Sequence, residues 1–183
     1  MAVHVRLPDQ EFDLESRPGL FSHGALDPGT QVLLRETPAP PPQDVLDLGC
    51  GYGPIAVTLA LREPGATIWA VDVDDRALEL TERNAAALGL RNVMVHTPRQ
   101  VPADITFAAI YSNPPFRLAK KEQRAFLAAW LDRLEPNGEA YFVIKQNYGA
   151  DSIQAWLTEH GYPSERFASK RGYRLLRARR PNA

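Results

Sequence analysis

Asn113, Pro114, Pro115 and Phe116 place hydrogen-bond acceptors beside an aromatic face. Two consecutive prolines fix the backbone and remove two donors, so the loop offers the Asn113 side-chain oxygen and the Pro114 carbonyl. A planar exocyclic amine has two hydrogens to give to such a pair. Bonding both favours a pyramidal nitrogen whose lone pair, otherwise delocalised into the ring, points at an electrophile. Phe116 adds a surface for stacking, a contact worth about 1–3 kcal/mol in nucleic-acid sites. As plain structure, the same four residues are a proline-rich loop that begins a helix.

A second stretch, Asp47-Leu-Gly-Cys-Gly-Tyr-Gly53, begins 66 positions earlier. Its glycines permit a tight turn and let backbone approach a ligand at the head of a helix. The spacing is Gly-x-Gly-x-Gly, not the Gly-x-Gly-x-x-Gly of dinucleotide binders, and Asp47 in front of it would repel a pyrophosphate but suit a cationic ligand. An ordinary strand-to-helix turn is the competing structural reading. Asp72 follows 25 residues after Asp47, at the end of the next strand, where an acid can accept bonds from both hydroxyls of a ribose. Asp74 is assigned to the N-cap of the following helix.

The elements that must hold these residues alternate. Short apolar strands are predicted at 45–48, 67–71, 92–96, 105–112 and 140–145, with two more near 166–169 and 173–177. Helices are predicted at 55–61, over the face of Leu78, Thr81, Ala85 and Leu88, over that of Phe126, Leu127, Trp130, Leu131 and Leu134, and at about 151–160. Gly89 ends the second of these, and residues 135–138 form a turn. The expected fold is α/β: a Rossmann-like, doubly wound, mainly parallel sheet of seven strands with helices on both faces and ligands at the carboxyl ends of the strands. Ahead of it, residues 1–37 read as a lid-like preface. It holds an apolar-tipped loop at 17–22 and a short helix that Asp27 caps, and the stiff Pro38-Ala-Pro-Pro-Pro42 spacer sets it off.

Composition bounds the rest. At 183 residues, 44% apolar and 23% charged, the chain suits one compact domain with a core that needs neither disulfide nor metal. A lone cysteine and four scattered histidines give no zinc-ligand spacing, so no metal is expected. No apolar run approaches the ~20 residues of a membrane span and the start lacks a secretory signal, which predicts a cytoplasmic protein without membrane contact. With net charge -1, a polyanion would have to meet a local basic patch. Arg117, Lys120, Lys121 and Arg124 form one candidate; Lys170, Arg171, Arg174, Arg177, Arg179 and Arg180 form another. Solvated surface charge is the more common explanation of any such run. The sequence is silent on oligomeric state.

These motifs resemble those of class I S-adenosylmethionine-dependent methyltransferases that modify amino nitrogens. More narrowly, the chain resembles the methyltransferase small domain of the ribosomal RNA guanine-N2 methyltransferase C family. Besides the two motifs, the likeness rests on Gly19-Leu-Phe-Ser22 with Leu26-Asp-Pro-Gly-Thr30, on Arg-Leu-Ala-Lys120, on Val143-Ile-Lys-Gln146 with Gly149-Ala150, and on Lys170-Arg-Gly-Tyr-Arg-Leu-Leu176. It covers about residues 11 to 180. The resemblance implies an antiparallel last strand and S-adenosylmethionine as cofactor. Asp47, Gly49, Cys50, Gly51 and Gly53 would hold its methionine portion, and Asp72 and Val73 the nucleoside. Asn113, Pro114, Pro115 and Phe116 would hold the target base, Phe21 and Ser22 would cover the pocket, and Arg117, Lys120 and Lys121 would meet phosphates of ribosomal RNA or a ribosomal subunit precursor. Class I enzymes often carry an acid after the third strand that meets the adenine amine. This chain has Pro98-Arg-Gln100 there, so that contact is expected from backbone near Arg99. No histidine or carboxylate stands close to Asn113 in sequence, and none is needed before transfer, because the nitrogen becomes cationic as it gains the methyl and then sheds a proton readily. Methylation of a protein glutamine or a small-molecule amine, and a noncatalytic RNA-binding module, are the alternatives.

Overall fold

The computed structural model describes residues 1–19, 24–115 and 119–181. Seven strands form one sheet: β3 (Asp44–Leu48), β4 (Thr67–Val71), β5 (Val93–His96), β6 (Phe107–Ser112), β7 (Leu134–Lys145), β8 (Ser164–Lys170) and β9 (Tyr173–Arg179), in the order β5-β4-β3-β6-β7-β9-β8. All neighbours through β7 are parallel, and β9 inserts antiparallel between β7 and β8. This is the expected sheet, including the antiparallel last strand. The order reverses between β3 and β6. Their carboxyl ends therefore flank the topological switch point, where doubly wound sheets bind ligands.

The central parallel strands β3, β4 and β6 are mainly apolar because both faces are covered, as parallel sheets require. On one face Val45, Tyr111, Tyr141 and Val143 pack with α1 (Pro28–Glu36), α2 (Pro54–Arg62) and α3 (Asp75–Ala87). On the other, Leu46, Leu48, Ile110, Phe142 and Ile144 pack with α4 (Lys120–Leu131) and α5 (Ala150–Glu159). The 66-residue gap between the two motifs collapses here, since Asp47 and Tyr111 are register partners on adjacent strands.

Residues 1–15 depart from the expected preface. They form a hairpin of β1 (Ala2–Arg6) and β2 (Glu11–Glu15), whose inward residues Val3, Val5, Phe12 and Leu14 share one core with α2 and α3. Burial of each such side chain is worth about 1.5–3 kcal/mol. Asp9 at the hairpin turn pairs with Arg62 Nε at 2.7 Å, and the same guanidinium donates to the Leu34 carbonyl at 2.7 Å. At the hairpin's far end Asn84 Nδ2 donates to the carbonyls of Glu15 at 2.9 Å and Tyr52 at 2.8 Å, while its Oδ1 accepts from the Glu15 N–H at 2.8 Å. The proline segment 38–42 leads into β3 without dividing this core.

A second departure lies in β7. The turn expected at 135–138 exists as an outpocketing inside one continuous strand: Phe107 faces Leu134, and the next pair is Ala109 with Glu139. Asn137 takes a left-handed φ of 63° to make it. Among the described residues no helix is long and apolar enough to cross a membrane and no cluster of metal-ligating side chains occurs.

Candidate active site

A cavity of about 290 Å³ opens at the switch point. Gly49, Cys50, Gly51 and Tyr52 line one side, Asp72, Val73 and Asp74 a second, and Asp27, Thr30, Asn113 and Pro115 a third.

The glycine loop turns through left-handed backbone at Gly49 (φ 79°), Gly51 (59°) and Gly53 (92°). Its amides are already used. Gly49 and Cys50 donate to the Val71 carbonyl at 2.8 and 3.0 Å, Gly51 donates to Asp72 Oδ2 at 2.9 Å, and Gly53 donates to the Cys50 carbonyl at 2.9 Å. A phosphate cradle needs such groups unpaired, so this loop is not built for a pyrophosphate. At Gly49 and Gly51 an added methyl would meet no atom of the described residues within 4 Å beyond the adjoining chain. The backbone there fronts open space that a ligand can approach.

Carboxylates give the site its sign. Asp72 Oδ1 accepts the Asp74 N–H at 3.0 Å, so this residue braces both loops while lining the cavity. Asp74 caps α3 through the Arg76 N–H at 3.0 Å, as expected. Asp47 differs from expectation in position. It is wholly buried beneath the glycine turn, does not line the cavity, and accepts the Ala56 N–H at 2.9 Å through Oδ2. Its other oxygen has no partner among the described residues, and desolvation pushes its pKa up to about 8, against the pull of the Ala56 hydrogen bond. Burial likewise raises the Cys50 thiol, leaving it a packing group with little thiolate character.

Asn113 emerges from β6 and is nearly buried. Nδ2 donates to Asp27 Oδ2 at 2.8 Å and to Thr30 Oγ1 at 3.0 Å, whereas Oδ1 is buried with no partner among the described residues. An orphaned buried acceptor beside a cavity is costly, by about 1–3 kcal/mol, unless a ligand donor completes it. Although sequence places no carboxylate near Asn113, the fold brings one from 86 residues away. Asp27 was legible only as a helix cap, a role it also fills by accepting the Thr30 N–H at 2.9 Å.

Other expected residues separate. Val73 lines the cavity and is 80% exposed, an apolar surface open to a ring. Pro98 lines it; Arg99 is exposed and does not. Pro115 lines it, while Pro114 is buried alongside. Lys121 is exposed in the first turn of α4. Phe21, Ser22, Phe116 and Arg117, and the side chain of Lys120, lie outside the described residues. The carboxy-terminal basic run is largely spent on ion pairs. Lys170 meets Glu36 at 2.7 Å, Arg179 meets Glu139 at 2.9 Å, Arg177 meets Glu165 and Glu139, and Arg174 meets Asp151. Lys145, at the cavity end of β7, has no carboxylate partner among the described residues and stands 5.8 Å over the Tyr148 ring.

An acid-lined cavity whose Gly49, Cys50, Gly51 and Gly53 amides are already paired suits a cationic nucleoside ligand such as S-adenosylmethionine. The fold is that of a class I S-adenosylmethionine-dependent methyltransferase. The profile of the methyltransferase small domain matches residues 11–177, and the chain belongs to that family. It is 34% identical over 179 residues to a Bacillus subtilis (strain 168) protein called uncharacterized protein YbxB, covering 96% of this chain and 89% of that one. It is 33% identical over 178 residues to the ribosomal RNA small subunit methyltransferase C of Pseudomonas aeruginosa (strain LESB58), covering 95% of this chain but 53% of the relative. The chain thus spans about half the length of that enzyme. In fold it is similar to the T. thermophilus 16S rRNA N2 methyltransferase (RsmC) in complex with AdoMet and guanosine. That match has a TM-score of 0.84 at 23% identity and covers 98% of this chain and 50% of that one. A methyltransferase from Pyrococcus furiosus aligns with a TM-score of 0.76 at 20% identity, over 92% of this chain and 89% of its own.

Proposed function

We propose that this protein methylates the exocyclic N2 amine of a guanine in small-subunit ribosomal RNA. The observation that carries the reading is Asn113 Oδ1, a buried acceptor beside the cavity with no partner among the described residues. With the Pro114 carbonyl it accepts the two amine hydrogens and turns the nitrogen lone pair toward the donor. Bound S-adenosylmethionine supplies an electrophilic methyl group on a sulfonium. With that group bound, the amine nitrogen would bond to the methyl carbon as the S–C bond breaks, and would then release a proton to water. Positioning, not a strong base, supplies most of the rate. Gly49 and Gly51 leave room for the methionine portion, Asp72 faces the ribose, and Val73 and the backbone beside Pro98 and Arg99 flank the adenine. Lys121, with Arg117 and Lys120, meets RNA phosphates, and a base within a helix is flipped out to reach the cavity. The ribosomal RNA assignment draws on the family and on the guanosine bound by the T. thermophilus enzyme.

The test is incubation with labelled S-adenosylmethionine and ribosomal RNA or subunits from a strain lacking the gene, followed by nucleoside analysis. Label in N2-methylguanosine is the expected result. Label only in methyladenosine, in protein or in a small amine would overturn the reading. In parallel, Asn113→Ala should abolish transfer while leaving S-adenosylmethionine affinity close to unchanged; equal loss of both would mean that Asn113 serves the cofactor instead.

A further inference from the structure

The two carboxylate oxygens of Asp27 are unequally used. Oδ2 accepts both the Thr30 N–H at 2.9 Å and the Asn113 Nδ2 at 2.8 Å. Oδ1 has no hydrogen-bond partner among the described residues, and Asp27 is half-buried in the cavity wall beside Asn113. An ionised carboxylate accepts and never donates, so it fixes which end of the Asn113 amide turns toward it. The amide nitrogen is held by Asp27, and the amide oxygen is left for the cavity.

The unengaged oxygen bears on which amine the site admits. Beside the N2 amine of guanine stands N1–H, a donor. Beside the amines of adenine and cytosine stands a ring nitrogen carrying a lone pair. A carboxylate oxygen next to the amine-holding amide attracts the first arrangement and repels the other two. We propose that Asp27 is a positioning and specificity-determining residue, which orients Asn113 through Oδ2 and selects guanine by accepting its N1–H through Oδ1. The inference rests on the reading of the acceptor as a guanine amine. It adds the group that distinguishes guanine from other amino-bearing bases, and it uses a residue whose sequence signature is only that of a helix cap.

Asp27→Asn isolates the reading oxygen. The Thr30 N–H and the Asn113 NH₂ both need an acceptor at the Oδ2 position, so the introduced amide keeps its oxygen there and presents NH₂ in place of Oδ1. The cap and the Asn113 orientation persist while the group offered to N1 changes from acceptor to donor. The probes are guanosine and 2-aminopurine riboside, which carries the same amine at C2 but a lone pair at N1. Each is titrated with S-adenosylhomocysteine present. Wild type should prefer guanosine by about tenfold or more, the value of one well-placed polar contact. Asp27→Asn should lose or reverse that preference with S-adenosylhomocysteine affinity and Tm unchanged. Asp27→Ser retains a capping hydroxyl but removes both the hold on Asn113 and the Oδ1 acceptor, and should weaken both nucleosides, guanosine the more. A guanosine preference that survives Asp27→Asn overturns the proposal, as does a wild type that prefers neither nucleoside or binds neither. If wild type still methylates guanine in ribosomal RNA in those cases, only the role of Asp27 fails. Label found only in adenine or protein removes the underlying reading as well.

Discussion

Ser112 Oγ donates to the Leu48 carbonyl at 2.6 Å, tying the end of the strand that carries Asn113 to the end of the strand that carries the glycine turn. Both groups are buried. The bond crosses the switch point and fixes the two halves of the site relative to each other. Ser112→Ala should cost about 1 kcal/mol of stability. It should also lower kcat roughly tenfold or more, since small misplacement of reacting groups is expensive, while S-adenosylmethionine affinity changes little. Titration calorimetry with single-turnover assays checks this, and a kcat equal to that of wild type would show that the tie is structural only.

Asp47 makes stability fall with rising pH. Its carboxyl, pushed up from 3.8 to about 8 by burial, holds a proton in the folded state that the unfolded chain releases. The favourable contribution is full below about pH 4 and is lost progressively as pH climbs toward 8. Wild type should therefore lose stability relative to Asp47→Asn across this window, with a relative slope of up to about 1.4 kcal/mol per pH unit. Denaturant melts of both proteins at several pH values measure the slope, and parallel profiles would mean that Asp47 does not titrate there.

Gly51 and Gly53 should separate ligand space from protein space. A methyl group at Gly53 would sit 3.0 Å from the Thr81 side chain on left-handed backbone, whereas at Gly51 it meets nothing within 4 Å. Gly53→Ala should destabilise the fold by about 1–3 kcal/mol from strain, before the Thr81 contact is counted. Gly51→Ala should cost less stability but weaken S-adenosylmethionine binding about tenfold or more, because the added carbon enters the cavity. Thermal melts and calorimetry on the pair give the comparison; affinity retained in Gly51→Ala would place the cofactor away from this loop.

The basic residues divide by whether they already have a partner. Lys121→Ala and Lys145→Ala should each flatten the salt dependence of ribosomal RNA binding by a slope of about one. Arg179→Ala, which removes a cation engaged by Glu139 at 2.9 Å, should leave that slope near its wild-type value. Affinity measured across a potassium chloride series decides the matter, and the opposite ranking would put the RNA on the β8–β9 edge.

How much of this was legible depended on range in sequence. The strands stood out because the buried sheet demands apolar runs such as Ile68-Trp69-Ala70-Val71, and the caps Asp27 and Asp74 act within three residues of themselves. The hairpin went unread although Val3 and Val5, then Phe12 and Leu14, alternate with charged residues at period two. Two five-residue strands ahead of a proline-rich stretch are a weak signal without the α3 surface that buries them. The burial of Asp47 beneath its own loop has no local signature. Nor does the Asp27–Asn113 bond, which spans 86 residues and exists only because α1 lies against the end of β6. The carboxy-terminal arginines looked available because their acidic partners, Glu139 and Glu165 among them, come from neighbouring strands.

Asn84 has a further consequence, at the level of sequence drift. All three of its hydrogen bonds run to main-chain atoms of Glu15 and Tyr52, so the junction between hairpin and cofactor loop consults only one side chain. Positions 15 and 52 can be replaced without breaking it. Position 84 must supply donor and acceptor together, which aspartate and leucine cannot do. Outward residues of the amino-terminal hairpin can in this way change while the hairpin stays fastened to the glycine loop through a single carboxamide.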